Sequence, residues 1–251
     1  MKTPRVSSAA ILAALLLVSS AIPIATSKAQ SAAGSPAIAT FIDPNSIDVA
    51  KILPPPPKAN SAQARADNSY IKYSNAAATD NQKLLGIAAS RDSAFDYSQT
   101  LGLWFNPKIL PKTATLFQKV TNETKEAIEL AKNHFKRIRP EMWKVTGDPE
   151  KSDGYCYPSG HTTRAYVWST LLANAFPDER KALHLQARQK AWYRVVLGRH
   201  YPSDVRAGKT YGTFLANKFL KDPEFQAEWA AVCAEMKQAR SEAIPPSSFN
   251  P

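Results

Sequence analysis

Three short stretches of the chain hold residue types that could cage a tetrahedral oxyanion and attack it. They are residues 132–140 (KNHFKRIRP), 157–162 (YPSGHT) and 194–204 (RVVLGRHYPSD). In the middle stretch Pro158 fixes the approach of the chain, Ser159 is placed to cap a helix, and Gly160 lets a ligand come close to the backbone. The N–H groups of a first helical turn, backed by the helix dipole, form an anion site. An oxyanion there would accept from Ser159 Oγ and the Gly160 amide, with His161 beside it. In the third stretch Asp204 follows His200 by four residues. It can accept an N–H from that imidazole, which leaves the other ring nitrogen to attack. Arg194 precedes them near the end of its own helix. In the first stretch Lys132 and Arg139 are seven apart, two helical turns, so a helix through both puts them on one face. Arg brings a planar fork to an oxyanion and Lys a compact charge. Each stretch alone also has a bland reading: a capped helix start with an incidental histidine, a buried His–Asp pair or an Asp204 N-cap, a basic helix face. Lys136 and Arg137 read as solvated, and His134 and His184 as ordinary surface or core residues.

The elements that must position these residues read as helices. Asp80 is placed to cap one running through Leu84, Leu85, Ile87 and Ala88. Leu116, Val120, Ala127, Ile128, Leu130 and Ala131 recur at helical spacing over one or two more, and that pattern runs into Arg139 and stops at Pro140. A strong helix should start at Ser159, with Thr162, Ala165, Val167, Trp168, Leu171, Leu172 and Ala175 on its apolar face, and end before Pro177. Pro177, Asp178 and Glu179 open the next, which Leu183, Ala187, Ala191, Val195 and Val196 carry to Gly198. Two more cover residues 205–219 and 222–240. Alternating strand patterns are scarce. The expectation is an all-α domain over residues 61–251 with a helix-bundle core.

The chain has 251 residues, enough for one domain with a substantial core. Residues 1–29 have a basic start at Lys2 and Arg5, an apolar run and a Ser27-Lys28-Ala29 exit. That is the pattern of a secretory signal peptide cleaved before Gln30. Residues 30–60 are rich in Ala, Ser and Pro and read as irregular. The prolines at 54–57 should form an extended linker or a strap across the domain. The formal charge is +11. The leader holds Lys2, Arg5, Lys28 and no acid, so 11 − 3 = +8 remains for the exported chain. The basic residues are dispersed, without a basic arm or finger spacing, which argues against nucleic acid and leaves small anions as partners. No later segment has the ~20 apolar residues of a membrane span. Cys156 and Cys233 form a disulfide in the oxidising compartment or are two buried thiols; the sequence leaves both open.

Lys132…Arg139-Pro140, then Pro158-Ser159-Gly160-His161, then Arg194…His200…Asp204 resembles the tripartite signature of the PAP2 superfamily. With its leader, proline run and helical chain of this size, the sequence is most similar to the class A bacterial non-specific acid phosphatases. The resemblance implies a periplasmic enzyme of broad specificity toward phosphate monoesters, with possible phosphotransferase activity. Lys132, Arg139, Arg194, Ser159 and the Gly160 amide would hold the phosphoryl group. His200 would attack it, Asp204 would orient His200, and His161 would protonate the leaving alcohol. No metal or other cofactor is implied, since the three cations do that work; inorganic phosphate or vanadate would be site ligands, and the chain would self-associate as a homo-oligomer. One position departs from the family, which has Ser before the third-motif Arg where this chain has Tyr193. The same cage would also serve a vanadate-dependent haloperoxidase. A lipid phosphatase normally has several membrane spans, and a non-catalytic anion binder would bind phosphate without turnover.

Overall fold

The computed structural model describes residues 40–140 and 154–243; the leader, residues 1–29, lies outside them. Helices α1 (Val49–Ile52), α2 (Ala62–Ala77), α3 (Asp80–Ala88), α4 (Ser98–Leu101), α5 (Pro111–Phe135), α6 (Gly160–Ala175), α7 (Arg180–Val196), α8 (Pro202–Phe219) and α9 (Pro223–Ala243) follow one another, with short 3-10 turns between some of them. There is no strand among the described residues, so the fold is all-α.

Helix α6 is the axis. It is buried nearly all round, Thr162, Thr163 and Ser169 included, and Ala165, Val167, Trp168, Leu171, Leu172 and Ala173 are shut off from solvent. Helices α7 and α8 flank it, α5 lies alongside, and α9 packs on α5. The α6–α8 contact is set by two glycines. A methyl group on Gly212 would overlap the Thr163 carbonyl oxygen, and one on Gly208 would stand 2.8 Å from the Ser159 carbonyl oxygen. Backbone meets backbone there, and the N-terminus of α8 is drawn against that of α6. Phe117 on α5 stacks near Trp168, ring centroids 4.8 Å apart, and closes the other side.

Three local details differ from the sequence expectations. Helix α5 is one helix of 25 residues and ends at Phe135, because Lys136 takes the left-handed conformation (φ 47°). Arg137 and Arg139 therefore sit in the segment beyond the helix, and Lys132 and Arg139 do not share a helical face. Thr79, not Asp80, caps α3, in a capping box with Gln82. Leu84 and Leu85 on that helix are exposed. The proline run lies against the domain as a strap: the Tyr157 hydroxyl donates to the Pro54 carbonyl at 2.6 Å, and Leu53 is buried beside it. Glu123, buried on α5, accepts the backbone N–H groups of Phe41 and Ile42 and pins the chain before α1. Both cysteines are free thiols, Cys156 buried and Cys233 half-buried.

Candidate active site

Four chain segments converge on the N-terminus of α6. Ser159 occupies its N-cap position, but its hydroxyl caps no backbone amide; it accepts from Thr162 Oγ1 at 3.0 Å. Gly160 follows with a bare Cα. A methyl there would come within 3.9 Å of Lys132 Nζ and 3.6 Å of Arg164 Nη1. The first turn of α6 thus faces two cations. Lys132 leans on Glu129 at 2.8 Å. Glu129 is half exposed, so this is a weak, replaceable pairing.

The turn between α7 and α8 supplies the histidine. Gly198 adopts φ 68°, a conformation a side chain would disfavour, and the Arg194 carbonyl caps the turn by accepting from the amides of Arg199 and His200. His200 is 2% exposed. Arg139 Nη1 lies 3.2 Å from its Nε2. A guanidinium only donates, so Nε2 presents its lone pair and the ring proton belongs on Nδ1. Nδ1 faces Asp204 Oδ2 at 3.5 Å, a long contact of the kind that tightens when a site is occupied. Burial, then Arg139 and Arg194, push the His200 pKa well below the usual imidazole value. The ring is held neutral.

Asp204 also accepts the Tyr201 amide on Oδ2 at 2.8 Å, so it is at once the capping carboxylate of α8 and the partner of His200. Its carbonyl accepts the Ser159 amide at 3.1 Å, which ties the third stretch to the second. Fully buried, Asp204 has its pKa raised by desolvation to about 6. Arg137 holds its other oxygen, Nη1 to Oδ1 at 2.5 Å. Arg137 is thus not on a solvated face, as its sequence context suggests; the chain bends inward once α5 ends.

Residues of the α3 end complete the site, and sequence reading missed them. Arg194 is 2% exposed, and its Nη1 donates to Ser90 Oγ. His161, mostly buried, has Nε2 3.2 Å from the Ser90 carbonyl and 4.0 Å from Asp92 Oδ2. Asp92 is ion-paired with Arg164 Nε. A 3-10 turn (Ala89–Arg91) followed by Asp92 in the left-handed conformation aims this loop inward. The faint signal for it was the polar run after α3, ending in an Asp that tolerates that conformation. Burial, then Arg194 and Arg164, lower the His161 pKa well below 6.5. Tyr193 points away from the histidines: its hydroxyl accepts from Gln189 at 3.1 Å. Where the family has a serine next to the arginine, Ser90 from another helix supplies the hydroxyl that holds Arg194.

All eight residues singled out in the sequence (Lys132, Arg139, Ser159, Gly160, His161, Arg194, His200 and Asp204) therefore lie on this one site or on its edge. The PAP2 superfamily pattern matches residues 114–226. The non-specific acid phosphatase of Salmonella typhi is 29% identical over 198 residues, 73% of this chain and 78% of that protein. An acid phosphatase of Zymomonas mobilis is 27% identical over 213 residues, 79% of this chain and 78% of that protein. The non-specific acid phosphatase of Providencia stuartii is 27% identical over 199 residues, 72% of this chain and 78% of that protein. The chain thus carries a PAP2 superfamily domain over residues 114–226, and its likeness to these relatives over most of its length supports a phosphatase of the acid phosphatase type.

Proposed function

We propose that the protein hydrolyses phosphate monoesters with broad specificity through a phosphohistidine on His200. The observation that carries the reading is the arrangement of that ring. It is buried and neutral, with Nε2 turned to the Arg139 guanidinium and Nδ1 to Asp204. The phosphoryl group lies between Lys132, Arg139 and Arg194, with Ser159 Oγ and the Gly160 amide donating to its oxygens. Phosphoryl transfer needs positioning and charge stabilisation above all, and three cations around one group meet that demand. His200 Nε2 bonds to phosphorus as the ester P–O bond breaks. The His200 ring becomes cationic, and Asp204 stabilises it. The Ser90 carbonyl can only accept, so it takes Nε2–H of His161, and the proton that His161 exchanges is the one on Nδ1. That proton goes to the leaving alkoxide. The same nitrogen then takes a proton from water, which attacks the phosphohistidine and releases phosphate. An acceptor alcohol in place of water gives a transferred phosphoryl group.

Export by the leader to the periplasm and self-association belong to the same proposal; cell fractionation and light scattering on the purified chain test them. The chemistry is tested by rapid quench with labelled p-nitrophenyl phosphate. Label should be trapped on His200, His200→Ala should trap none, and His161→Ala should slow alkyl phosphates far more than p-nitrophenyl phosphate. Label on any other residue would sink the mechanism. Halide oxidation with peroxide and vanadate, in place of ester hydrolysis, would point to the haloperoxidase reading.

A further inference from the structure

Arg137 belongs to none of the three motif positions, yet its guanidinium makes three side-chain hydrogen bonds beside the site. Its Nη1 donates to Asp204 Oδ1 at 2.5 Å and to Ser203 Oγ at 2.6 Å, and its Nη2 to Asp67 Oδ2 at 3.1 Å. The guanidinium lies over the Tyr201 ring, 4.0 Å from its centroid. Its own carbonyl accepts the Cys156 amide at 2.9 Å. Asp67, on α2, is 1% exposed and also accepts from Ser203. An acid–base–acid bridge therefore runs from α2 through Arg137 to Asp204, and Asp204 faces the nucleophile.

We propose that Arg137 is a positioning residue for the reaction: through its fork on Asp67 and Asp204 it aims the carboxylate that aligns His200. This rests on the phosphohistidine reading. The geometry supports a role beyond bracing. Two carboxylates on one planar fork fix the direction of both, which a single point charge cannot do. Asp204 is turned so that Oδ1 meets Arg137 while Oδ2 is left to Tyr201 N–H and His200 Nδ1. Without Arg137 the carboxylate can rotate, and either oxygen can face the ring.

The same contact governs protonation. Charged and titratable groups from several elements face Asp204. Arg137 comes from the segment after α5, with Asp67 behind it on α2. Cys156 and Tyr157 come from the segment before α6, and His200 and Tyr201 from the α7–α8 turn. Arg139, Arg194, His161 and Lys132 stand on the far side of His200. Of these, Arg137 is the leading cause that lowers the Asp204 pKa, against desolvation. Removing its charge raises the proton affinity of the Asp204–His200 pair, wherever the proton lands. Either landing place stops the reaction. A protonated Asp204 no longer carries the charge that stabilises the His200 cation, and a protonated His200 has no lone pair.

The test is the pH profile of p-nitrophenyl phosphate hydrolysis by Arg137→Gln, Arg137→Lys and Asp67→Asn, with thermal melts of each. In Arg137→Gln the acid limb of kcat/KM should move up by about 1–3 pH units, the effect of losing an opposite charge at this range. At the optimum kcat should fall on the order of 10–100-fold, as for other supporting partners of a reactive side chain, with KM little changed. Arg137→Lys should restore part of both, and it carries the test if the Gln variant does not fold. Asp67→Asn should melt earlier without raising the acid limb. An acid limb at the wild-type pH in both Arg137 variants overturns the proposal, even if they melt earlier, since bracing alone would do that. Quench labelling of the wild type separates the two ideas. Label away from His200 overturns both, whereas label on His200 with an unmoved acid limb overturns this inference alone.

Discussion

The two histidines of the site face opposite demands but share one environment. Both are buried among cations, and both have their pKa pushed down. In the proposed mechanism that suits His200 as nucleophile. There His161 must carry a proton, and before substrate binds it resists one. The incoming phosphate resolves the conflict, because its negative charge between Arg194 and Lys132 offsets the cations that repel a proton from His161. The alkaline limb of kcat/KM, which reports the free enzyme, should therefore fall at a lower pH than the alkaline limb of kcat, which reports the complex. Coincident limbs in steady-state profiles would show that substrate does not recruit the proton. Ser90 sits between the two roles, since its hydroxyl takes Arg194 and its carbonyl takes His161. Ser90→Ala removes only the hydroxyl. It should weaken competitive inhibition by phosphate about tenfold, the worth of one charge-assisted hydrogen bond. Tyr193→Ser should leave that constant in place. The motif residues were legible because their chemistry is written in their types. Ser90, Asp92, Arg164 and Arg137 were not, because nothing in their local spacing announces a partner 66 to 104 residues away.

At the scale of elements, the site depends on how closely α8 approaches α6. Gly208 and Gly212 face the backbone of α6 with no room for a methyl group. Gly212→Ala should cost about 1–3 kcal/mol of stability, the range for overpacking a tight core, read as a lowered denaturant midpoint. Gly208 is opposite Ser159 itself, and the Ser159 amide donates to the Asp204 carbonyl. Gly208→Ala should therefore lose activity along with stability, and Gly212→Ala, one turn further on, mainly stability. Equal loss of kcat in the two variants would count against this division. The helices themselves were legible from their apolar periodicity, α6 and α7 most clearly. The end of α5 was not. Pro140 suggests a stop at residue 139, but the chain leaves the helix at Lys136, where the left-handed turn lets Arg137 reach Asp67, Ser203 and Asp204.

For the whole molecule, the buried titratable groups set how stability responds to pH. His161 and His200 have folded-state pKa values below the ordinary 6.5. Their contribution is complete above 6.5 and is lost as pH falls toward the depressed values. Asp204, at about 6 against 3.8, works the other way: its contribution is complete below 3.8 and is lost as pH rises through 6. Two histidines outweigh one carboxylate, so the ligand-free protein should lose stability as it is acidified below 6.5. Inorganic phosphate bound in the cage as proposed would bring negative charge and oppose that loss. At a hundredfold excess over its Kd it should add about 2.7 kcal/mol, which is roughly 5–10 °C in Tm for a chain of this size. At one fixed phosphate concentration the gain should be larger at about pH 5 than at about pH 8, where His161 has no proton to retain. Differential scanning calorimetry at the two pH values decides this, and an equal gain at both would remove His161 from the account.

By itself the sequence determined the all-helical class and singled out eight residues that the fold gathers around the N-terminus of α6. Apolar periodicity and the chemistry of Lys, Arg, Ser, Gly, His and Asp are local properties, carried by residues within a few turns of one another. Only the tertiary structure decided which groups support them. Burial sets the protonation of His161, His200 and Asp204, and the close seating of α8 on α6 brings Ser159 to Asp204. Contacts across the chain place Ser90 on Arg194 and Arg137 on Asp204. Desolvation and long-range pairing belong to the packed molecule, so no window of sequence contains them.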